Sequence, residues 1–271
     1  MCVRISYPLS ALWPSSSIAW AIACALWSKP NPKKLPETDL IFENLQAKDQ
    51  QAITQNAVRL SLDCKATVCL GDYSRGGKTR GDTHACDHDM GAKIKCIPCG
   101  VVDEDRGDLY IEFGRSYKTS DFIVDVLEHW WAHLPSSTRQ ALPSIQLKVD
   151  NGPESSGVRT QFLHRLVTWV DRIGKPLQLL YFPPYHSKYN PIERCWGILE
   201  QHWNGARLTD VKTMLAWAQS MTWKRHHPTI RLNTSTYAKG IALTKQEMVA
   251  IEARLERNPL LPKYDILIRP T

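Results

Sequence analysis

The sequence lacks an apolar run long enough to cross a bilayer as a helix. Its longest apolar stretch, Ile18–Trp27, covers ten residues, about half of the length that a membrane span requires. Internal repeats and low-complexity tracts are also absent, which excludes collagen-like and coiled-coil architectures. What remains is a chain of 271 residues with an ordinary apolar fraction of 43%. That is enough for one large or two small domains with a sizeable core.

Cysteine is dispersed rather than concentrated. The eight cysteines lie between residues 2 and 195 of a mid-sized chain, whereas disulfide-stabilised modules gather theirs in a short one. We therefore expect reduced thiols and a cytoplasmic protein.

The excess of positive charge is small. Lys and Arg number 34 against 27 Asp and Glu, which gives a formal net charge of +7. From Arg207 onward the balance is eleven basic residues to five acidic ones. Such an excess favours a polyanionic partner, either nucleic acid or an acidic membrane surface.

The hydrophobic pattern predicts an α/β fold. Alternating or continuous apolar runs predict strands at 58–62, 96–102, 108–113, 145–149 and 177–182. Apolar residues at helical spacing predict helices at about 37–56, 122–134, 158–173, 191–203, 208–222 and 244–257. Three strands come first and are followed by alternating helices and strands. This order indicates a mixed sheet with an antiparallel start and a parallel continuation, flanked by helices.

A glycine-rich segment imitates a nucleotide-binding loop. In Gly71–Thr79 the spacing of Gly, Lys and Thr resembles a phosphate-binding loop, but Asp72 stands where the pattern needs its first glycine, and no amphipathic helix follows. We interpret the segment as a basic surface loop that carries Arg75, Lys78 and Arg80.

Two sets of side chains could supply zinc ligands. Cys96 and Cys99 have the spacing of a zinc half-site, and a second, irregular set (His84, Cys86 and His88) precedes them. The alternative is a pair of half-buried strand cysteines.

His129 and His133 lie one helical turn apart, but the glutamate of a zinc-protease motif is missing after His129, so we favour two histidines on the flank of a core helix.

Three acidic residues form the constellation that carries chemistry. Asp63 and Asp150 each end an alternating strand, in the polar phase of that strand, and neighbouring parallel strands would bring them to one sheet edge. Asn190 suits an N-cap and Pro191 the first helical position, which places Glu193 in the first turn. A capping box with Asn190 is the structural alternative for Glu193. Together the three carboxylates could hold two Mg²⁺ ions for phosphoryl transfer without a covalent nucleophile.

Beside these three acids, six segments carry a recognisable pattern: Leu60–Thr67, Gly71–Arg80, Tyr117–Asp121, Lys148–Gly157, Pro183–Glu200 and Glu252–Pro259. They resemble the corresponding segments of the ISAzo-type insertion-sequence transposases, also called Rhodopirellula-type DDE transposases, which are related to mariner-like transposases. The resemblance covers about residues 35–270. It implies an RNase H-like core, a mixed five-stranded sheet flanked by helices, at 36–205, and a basic helical C-terminal extension at 206–271.

The resemblance also implies the chemistry. Asp63, Asp150 and Glu193 would be the catalytic triad and would hold two Mg²⁺ or Mn²⁺ ions. Asn151 and Gly152 would shape the loop behind Asp150. The predicted DNA contacts are Arg75, Lys78, Arg80, His186, Lys188 and Arg194. The implied partners are the transposon ends, target DNA and further copies of the chain, in the bacterial cytoplasm at the nucleoid, with no membrane contact.

The first residues depart from the family. Relatives carry an N-terminal helix-turn-helix region that reads DNA, whereas residues 1–35 here are apolar and then Pro-rich. We interpret this segment as a truncation remnant; the alternative is a secretory signal peptide at 1–28. Two other functions therefore stay open beside the transposase: an inactive remnant that only binds DNA, and an RNase H-like nuclease or resolvase.

Overall fold

A mixed sheet with helices on both faces organises the chain. The computed structural model describes residues 35–76, 78 and 94–271. The helices are α1 (Thr38–Thr54), α2 (Ser120–His133), α3 (Ser136–Ala141), α4 (Thr160–Ile173), α5 (Pro191–His202), α6 (Val211–Ser220) and α7 (Lys245–Glu252). The strands are β1 (Val58–Cys64), β2 (Val68–Leu70), β3 (Ile94–Asp103), β4 (Leu109–Gly114), β5 (Ile145–Val149), β6 (Leu177–Tyr181), β7 (Thr229–Asn233), β8 (Leu255–Arg257) and β9 (Asp265–Ile268).

The five central strands have the predicted arrangement. Their order across the sheet is β4-β3-β1-β5-β6. Strand β3 pairs antiparallel with both β4 and β1, and β5 is parallel to both β1 and β6. The predicted mixed α/β class, with an antiparallel start and a parallel continuation, is confirmed.

The region after residue 205 contributes more than the predicted helices. Strand β7 adds parallel to β4 at one edge of the sheet, and β9 and β8 add antiparallel beyond β6 at the other. Each of the three strands has at most five residues, too few to show a clear period in the sequence. The predicted domain boundary at 205 stays a prediction, although strands from both sides of it share the sheet.

The two faces of β1 explain how the core is divided. Leu60 and Leu62 point to the face that α2 and α4 cover and belong to the largest apolar cluster. The alternate residues point to the face under α1 and α5. There, Ser61 and Lys148 are buried rather than solvated, and the ammonium of Lys148 is paired with Asp49 of α1 at 2.7 Å and with Glu104 at 2.7 Å.

Several expectations concern residues 1–34, which lie outside the described part of the chain. These are the truncation remnant and the signal peptide. Across the residues that are described, no helix combines the length and the apolar character needed to cross a bilayer.

Candidate metal centre

Two parallel strands place Asp63 and Asp150 at the same end of the sheet, where the carboxyl ends of the strands lie. Asp63 is the penultimate residue of β1, opposite Gly100 of β3, and Asp150 directly follows β5. The last paired residues of these parallel neighbours are Leu62 and Val149. The two carboxylates therefore lie beside each other at the carboxyl ends of the strands, where open α/β sheets place their sites.

Helix α5 brings Glu193 over the same edge. Pro191 takes the first helical position and Glu193 lies in the first turn. The helix packs directly on β3 at Gly100, where an added Cβ would lie 2.7 Å from the Trp196 ring and 2.9 Å from Ile192. Because glycine leaves this space free, α5 can approach the strand closely and hold Glu193 near Asp63.

The three predicted carboxylates meet. Ligand oxygens of Asp63, Asp150 and Glu193 all lie within 4.8 Å of one another, and the three side chains are half-buried. No other group of three or more His, Cys, Asp or Glu side chains within the described ranges comes this close together. The structure thus brings the sequence-predicted triad together, while its catalytic role stays a prediction. We call these three residues the acidic cluster.

Burial raises the pKa of all three residues of the acidic cluster. Burial, with the negative charges of Asp150 and Glu193, raises the pKa of Asp63 to about 7. Burial also raises the pKa of Asp150, although the Asn190 hydrogen bond and Lys118 oppose the rise. The pKa of Glu193 is raised by burial and by Asp150. Three hard oxygen donors close together are the donor set that Mg²⁺ and Mn²⁺ prefer, so these residues fit a divalent metal.

Asn190 does not cap α5 with its side chain, contrary to the sequence expectation. It occupies the N-cap position without a side-chain capping bond, and its own backbone N–H donates to Ser187 O at 2.7 Å. Its amide instead donates to Asp150 Oδ1 at 3.2 Å, and its carbonyl oxygen accepts from the Ser61 hydroxyl. The capping box proposed for Asn190 and Glu193 is not formed, which leaves the Glu193 carboxylate for the acidic cluster.

Further polar contacts to the acidic cluster come from α5 and from the loop after β5. The Trp196 indole Nε1–H donates to Asp63 Oδ2 at 3.3 Å. Behind Asp150, the Gly152 N–H and the Ser155 hydroxyl donate to the Asp150 carbonyl at 2.8 and 3.1 Å. The Trp196 bond orients the Asp63 carboxylate, as ligand-orienting groups do around metals, and the two bonds to the Asp150 carbonyl hold the backbone of the loop that begins at Asp150.

Three residues that the structure places here were not predicted from the sequence to contact or influence the acidic cluster. The indole of Trp196 and the inward-turned amide of Asn190 are tertiary contacts, and no local pattern signals them. Lys118 lies in one of the segments that resemble the family, and its charge lowers the pKa of both Asp63 and Asp150. The position of Lys118 within the Tyr117–Asp121 segment was the one feature of the sequence that could have pointed to it.

The predicted DNA contacts differ in exposure. Lys78, Lys188 and Arg194 are exposed. The half-buried Arg75 has its guanidinium 5.8 Å from the Trp203 ring centroid and donating to the Cys69 carbonyl. Arg80 lies outside the described residues, and the DNA roles of the whole set stay predictions.

His186, also predicted near DNA, is mostly buried. Only 7% of it is exposed, and its ring stacks on Tyr189 and meets the edge of Phe42. The structure therefore gives His186 a part in holding the loop that leads into α5, and a DNA contact of His186 stays a prediction.

The zinc interpretations find no support in the geometry. Cys96 and Cys99 both lie in β3, three positions apart, so their side chains point to opposite faces of the sheet; each is fully buried in a different apolar cluster. They cannot share one tetrahedral ion. The second set of proposed ligands, at 84–88, lies outside the described residues. His129 contacts Glu112 at 3.0 Å, while His133 contacts Thr229 at 3.3 Å, so these histidines serve separate partners.

The fold is similar to that of solved transposase structures. A Mos1 transposase paired-end complex with left transposon end has a TM-score of 0.52 at 12% identity, and a pre-cleavage Mos1 transpososome has a TM-score of 0.51 at 11% identity. Each match covers 73% of this chain and 58% of the other chain, so the chain spans somewhat more than half the length of the proteins it matches. At this identity the likeness establishes the RNase H-like fold alone.

The sequence itself identifies the family. No curated protein gives a match. The family model described as Rhodopirellula transposase DDE domain matches residues 27–270, which confirms the resemblance seen in the sequence segments. The chain therefore belongs to the Rhodopirellula transposase DDE domain family.

Proposed function

We propose that this chain catalyses metal-dependent phosphoryl transfer on DNA, as the catalytic part of a transposase. The observation that carries the proposal is the acidic cluster. Two strands and one helix bring Asp63, Asp150 and Glu193 within 4.8 Å of one another. Rigid elements hold all three, as positioned catalysis requires.

Asp63, Asp150 and Glu193 would hold two divalent ions, Mg²⁺ or Mn²⁺. When bound, such ions would make an attacking oxygen more acidic and stabilise the leaving oxygen at phosphorus. Asn190 and Trp196 would orient the carboxylates of Asp150 and Asp63 through the bonds described above. The acidic cluster needs no covalent nucleophile, since the oxygen that attacks comes from water or from DNA.

Two successive displacements at phosphorus fit this site. In the first, a water oxygen bonds to phosphorus at the end of the element and the bond from phosphorus to the 3′-oxygen breaks. This step leaves a 3′-hydroxyl on the element and a 5′-phosphate on the flanking DNA, with one proton released. In the second, that 3′-hydroxyl bonds to a phosphorus of the target DNA and displaces its 3′-oxygen. Each step exchanges one P–O bond for another, so no external energy source is needed.

The proposed partners are DNA and a second copy of the chain. Solved relatives in fold are described as paired-end and pre-cleavage complexes of Mos1 transposase, and this suggests a paired-end assembly here. The net charge of +7 and the basic balance after residue 206 suit DNA. A cytoplasmic, nucleoid-associated location follows from that substrate.

Nicking and strand joining test the proposal. The purified chain is incubated with Mg²⁺ and duplex DNA that carries the ends flanking its gene, beside an Asp150→Ala variant. The exposed Asp108 supplies a matched control as Asp108→Asn. We expect cut and joined DNA from the wild type and the control but not from Asp150→Ala. Equal activity of Asp150→Ala and the wild type would contradict the catalytic role of Asp150. Cut DNA without joined products would indicate a nuclease. DNA binding without any cutting would indicate an inactive remnant.

A further inference from the structure

Lys118 is held in a fixed position beside the acidic cluster. It lies in the connection between β4 and α2, and Thr119 caps α2 by accepting from the Phe122 N–H at 3.2 Å. The next residue, Ser120, donates its hydroxyl to the Glu154 carbonyl at 2.7 Å. This bond ties the start of α2, and with it the backbone next to Lys118, to the loop that follows Asp150.

The ammonium of Lys118 is only loosely engaged. Its ion pair joins Nζ to Glu154 Oε2 at 3.7 Å, with 37% and 29% of the two side chains exposed. Lys65, whose charge reaches Glu193, is by contrast held by Glu200 at 2.6 Å. A cation near both aspartates with a long, partly solvated ion pair keeps its hydrogen-bond donors available for another anion.

With two divalent cations bound, the net charge of the site would favour the binding of an anion. Three carboxylates and Lys118 sum to about −2, and two divalent cations would change the sum to about +2. Once cations neutralise the carboxylates, the attraction between Lys118 and the acidic cluster falls. A phosphodiester of DNA, with one negative charge shared by two non-bridging oxygens, fits the remaining positive charge.

A basic groove continues outward from Lys118. It has a volume of about 280 Å³, and its lining includes three basic residues (Lys118, Arg159 and Lys239) and two acidic ones (Asp121 and Glu154). Asp121 is already paired with Arg165 at 2.6 Å, which leaves the groove a net positive charge. Arg159 and Lys239 are exposed, and the ammonium of Lys239 lies 3.8 Å from the Tyr117 ring centroid. Positive groups along a groove, with an exposed aromatic ring beside them, are the features that bind a sugar-phosphate strand.

We propose that Lys118 binds a non-bridging oxygen of the DNA phosphate held at the acidic cluster, and that the basic groove holds the next phosphates of the same strand. Lys118 is then a catalytic residue that stabilises the charge on the reacting phosphate, and Arg159 and Lys239 bind the substrate. The inference rests on the proposed function, since it takes DNA as the substrate of the acidic cluster.

DNA binding measured without catalysis tests the role of Lys118. The full chain is titrated against fluorescein-labelled oligothymidylate, with Ca²⁺ in place of Mg²⁺, over a series of salt concentrations. Lys118→Gln is compared with Lys118→Arg, which keeps the charge, and with Glu154→Gln, which removes only the ion pair. Lys175→Gln is the matched control, because Lys175 precedes β6 at the opposite edge of the sheet and donates to the Gln140 carbonyl. Mn²⁺ binding and melting temperature are measured on each protein.

The expected result separates a phosphate contact from a structural ion pair. Lys118→Gln lowers the slope of log affinity against log salt by about 0.7, the value for one lost phosphate contact on single-stranded DNA. It binds Mn²⁺ at least as tightly as the wild type, because a positive charge beside the acidic cluster is gone. Lys118→Arg, Glu154→Gln and Lys175→Gln keep the wild-type slope. The double variant Arg159→Gln/Lys239→Gln lowers the slope by about twice as much.

Two results would overturn the inference. One is an unchanged salt slope for Lys118→Gln; the other is an equal loss of DNA affinity and melting temperature in Lys118→Gln and Glu154→Gln, which would make the ion pair structural. A wild type that binds DNA with the expected slopes but never cuts it refutes the proposed function and leaves the phosphate contact standing.

Discussion

The side-chain amide of Asn190 donates to Asp150 Oδ1 at 3.2 Å, and the same fully buried side chain accepts from the hydroxyl of Ser61. Asp150 follows β5, Ser61 belongs to β1, and Asn190 begins α5. One residue therefore links the three elements that carry the acidic cluster. The Ile192 N–H at the start of α5 also donates to Ser61 Oγ at 3.3 Å, so the helix start is anchored on β1.

Loss of the Asn190 side chain should affect both stability and the metal site. Asn190→Ala removes the acceptor of the Ser61 O–H and the donor to Asp150 Oδ1, at a cost of about 1–3 kcal/mol in the free energy of unfolding. We also expect weaker Mn²⁺ binding, because Asp150 loses a bond that orients it. Urea denaturation and Mn²⁺ titration measure the two effects. The exposed Asn204 offers the control Asn204→Ala, and equal behaviour of both variants would contradict the role of Asn190.

Substitution of Gly100 tests the close packing of α5. In Gly100→Ala the new Cβ would lie 2.7 Å from the Trp196 ring, so α5 must shift away from β3. We expect a loss of about 1–3 kcal/mol in the free energy of unfolding and a larger loss of DNA cleavage, because Glu193 moves with the helix.

The control for Gly100 lies in the same helix. Gly197 is exposed within α5, and a Cβ there would meet no heavy atom within 4 Å. Gly197→Ala should therefore leave cleavage unchanged and raise stability by about 0.5–1 kcal/mol. If Gly100→Ala behaved like Gly197→Ala, the close approach of α5 to β3 would be refuted.

Much of this site could be predicted from the sequence because its parts are local. Alternation up to Asp63 and up to Asp150 marks two strand ends, and Pro191 marks a helix start, so each carboxylate had a predicted element. That β1 and β5 are neighbours was only a condition of the sequence argument, and the parallel pairing of the two strands in the structure meets it.

The remaining contacts depend on tertiary packing, which the sequence does not show. Asn190 is a residue type that often caps helices with its side chain. Here its backbone N–H donates to the Ser187 carbonyl, and its side chain points inward and donates to Asp150. Strands β7, β8 and β9 are too short to show a period in the sequence, so nothing local signals that β7 pairs with β4, β9 with β6 and β8 with β9. Cys96 and Cys99 match a zinc half-site by spacing, yet a strand places them on opposite faces.

The raised pKa of Asp63 predicts how stability changes with pH in the absence of metal. Its folded-state pKa of about 7 lies above the ordinary value of 3.8, so its contribution to stability is present below about pH 4 and is lost as the pH rises toward 7. Asp63→Asn removes this titration. As the pH rises from about 4 to about 7, we expect the variant to gain stability relative to the wild type, by at most about 1.4 kcal/mol per pH unit. Denaturation curves recorded with EDTA measure the difference.

Magnesium should reverse that difference. At pH 8, Mg²⁺ binds the ionised acidic cluster and raises the melting temperature of the wild type but not of Asp63→Asn. At pH 5, where Asp63 holds its proton, the gain should be much smaller. A pH-independent gain in the wild type would place the magnesium elsewhere on the protein.

Loss of the Trp196 indole N–H should lower the metal affinity of the protein more than it lowers the stability of the fold. Trp196→Phe removes the N–H that donates to Asp63 and keeps a ring against Gly100. We expect metal affinity to fall about 10–100-fold, as for other ligand-orienting groups. Isothermal titration with Mn²⁺ gives the affinity, and Trp217→Phe, on α6 with 36% of the side chain exposed, is the control. Unchanged affinity in Trp196→Phe would show that the bond to Asp63 does not orient the ligand.

The most direct test of the central claim is an anomalous difference map from crystals of the chain grown with DNA and Mn²⁺. We predict two manganese peaks about 3.5–4 Å apart, held by Asp63, Asp150 and Glu193, with a DNA phosphate between them. A map without a manganese peak at these three carboxylates would contradict the claim.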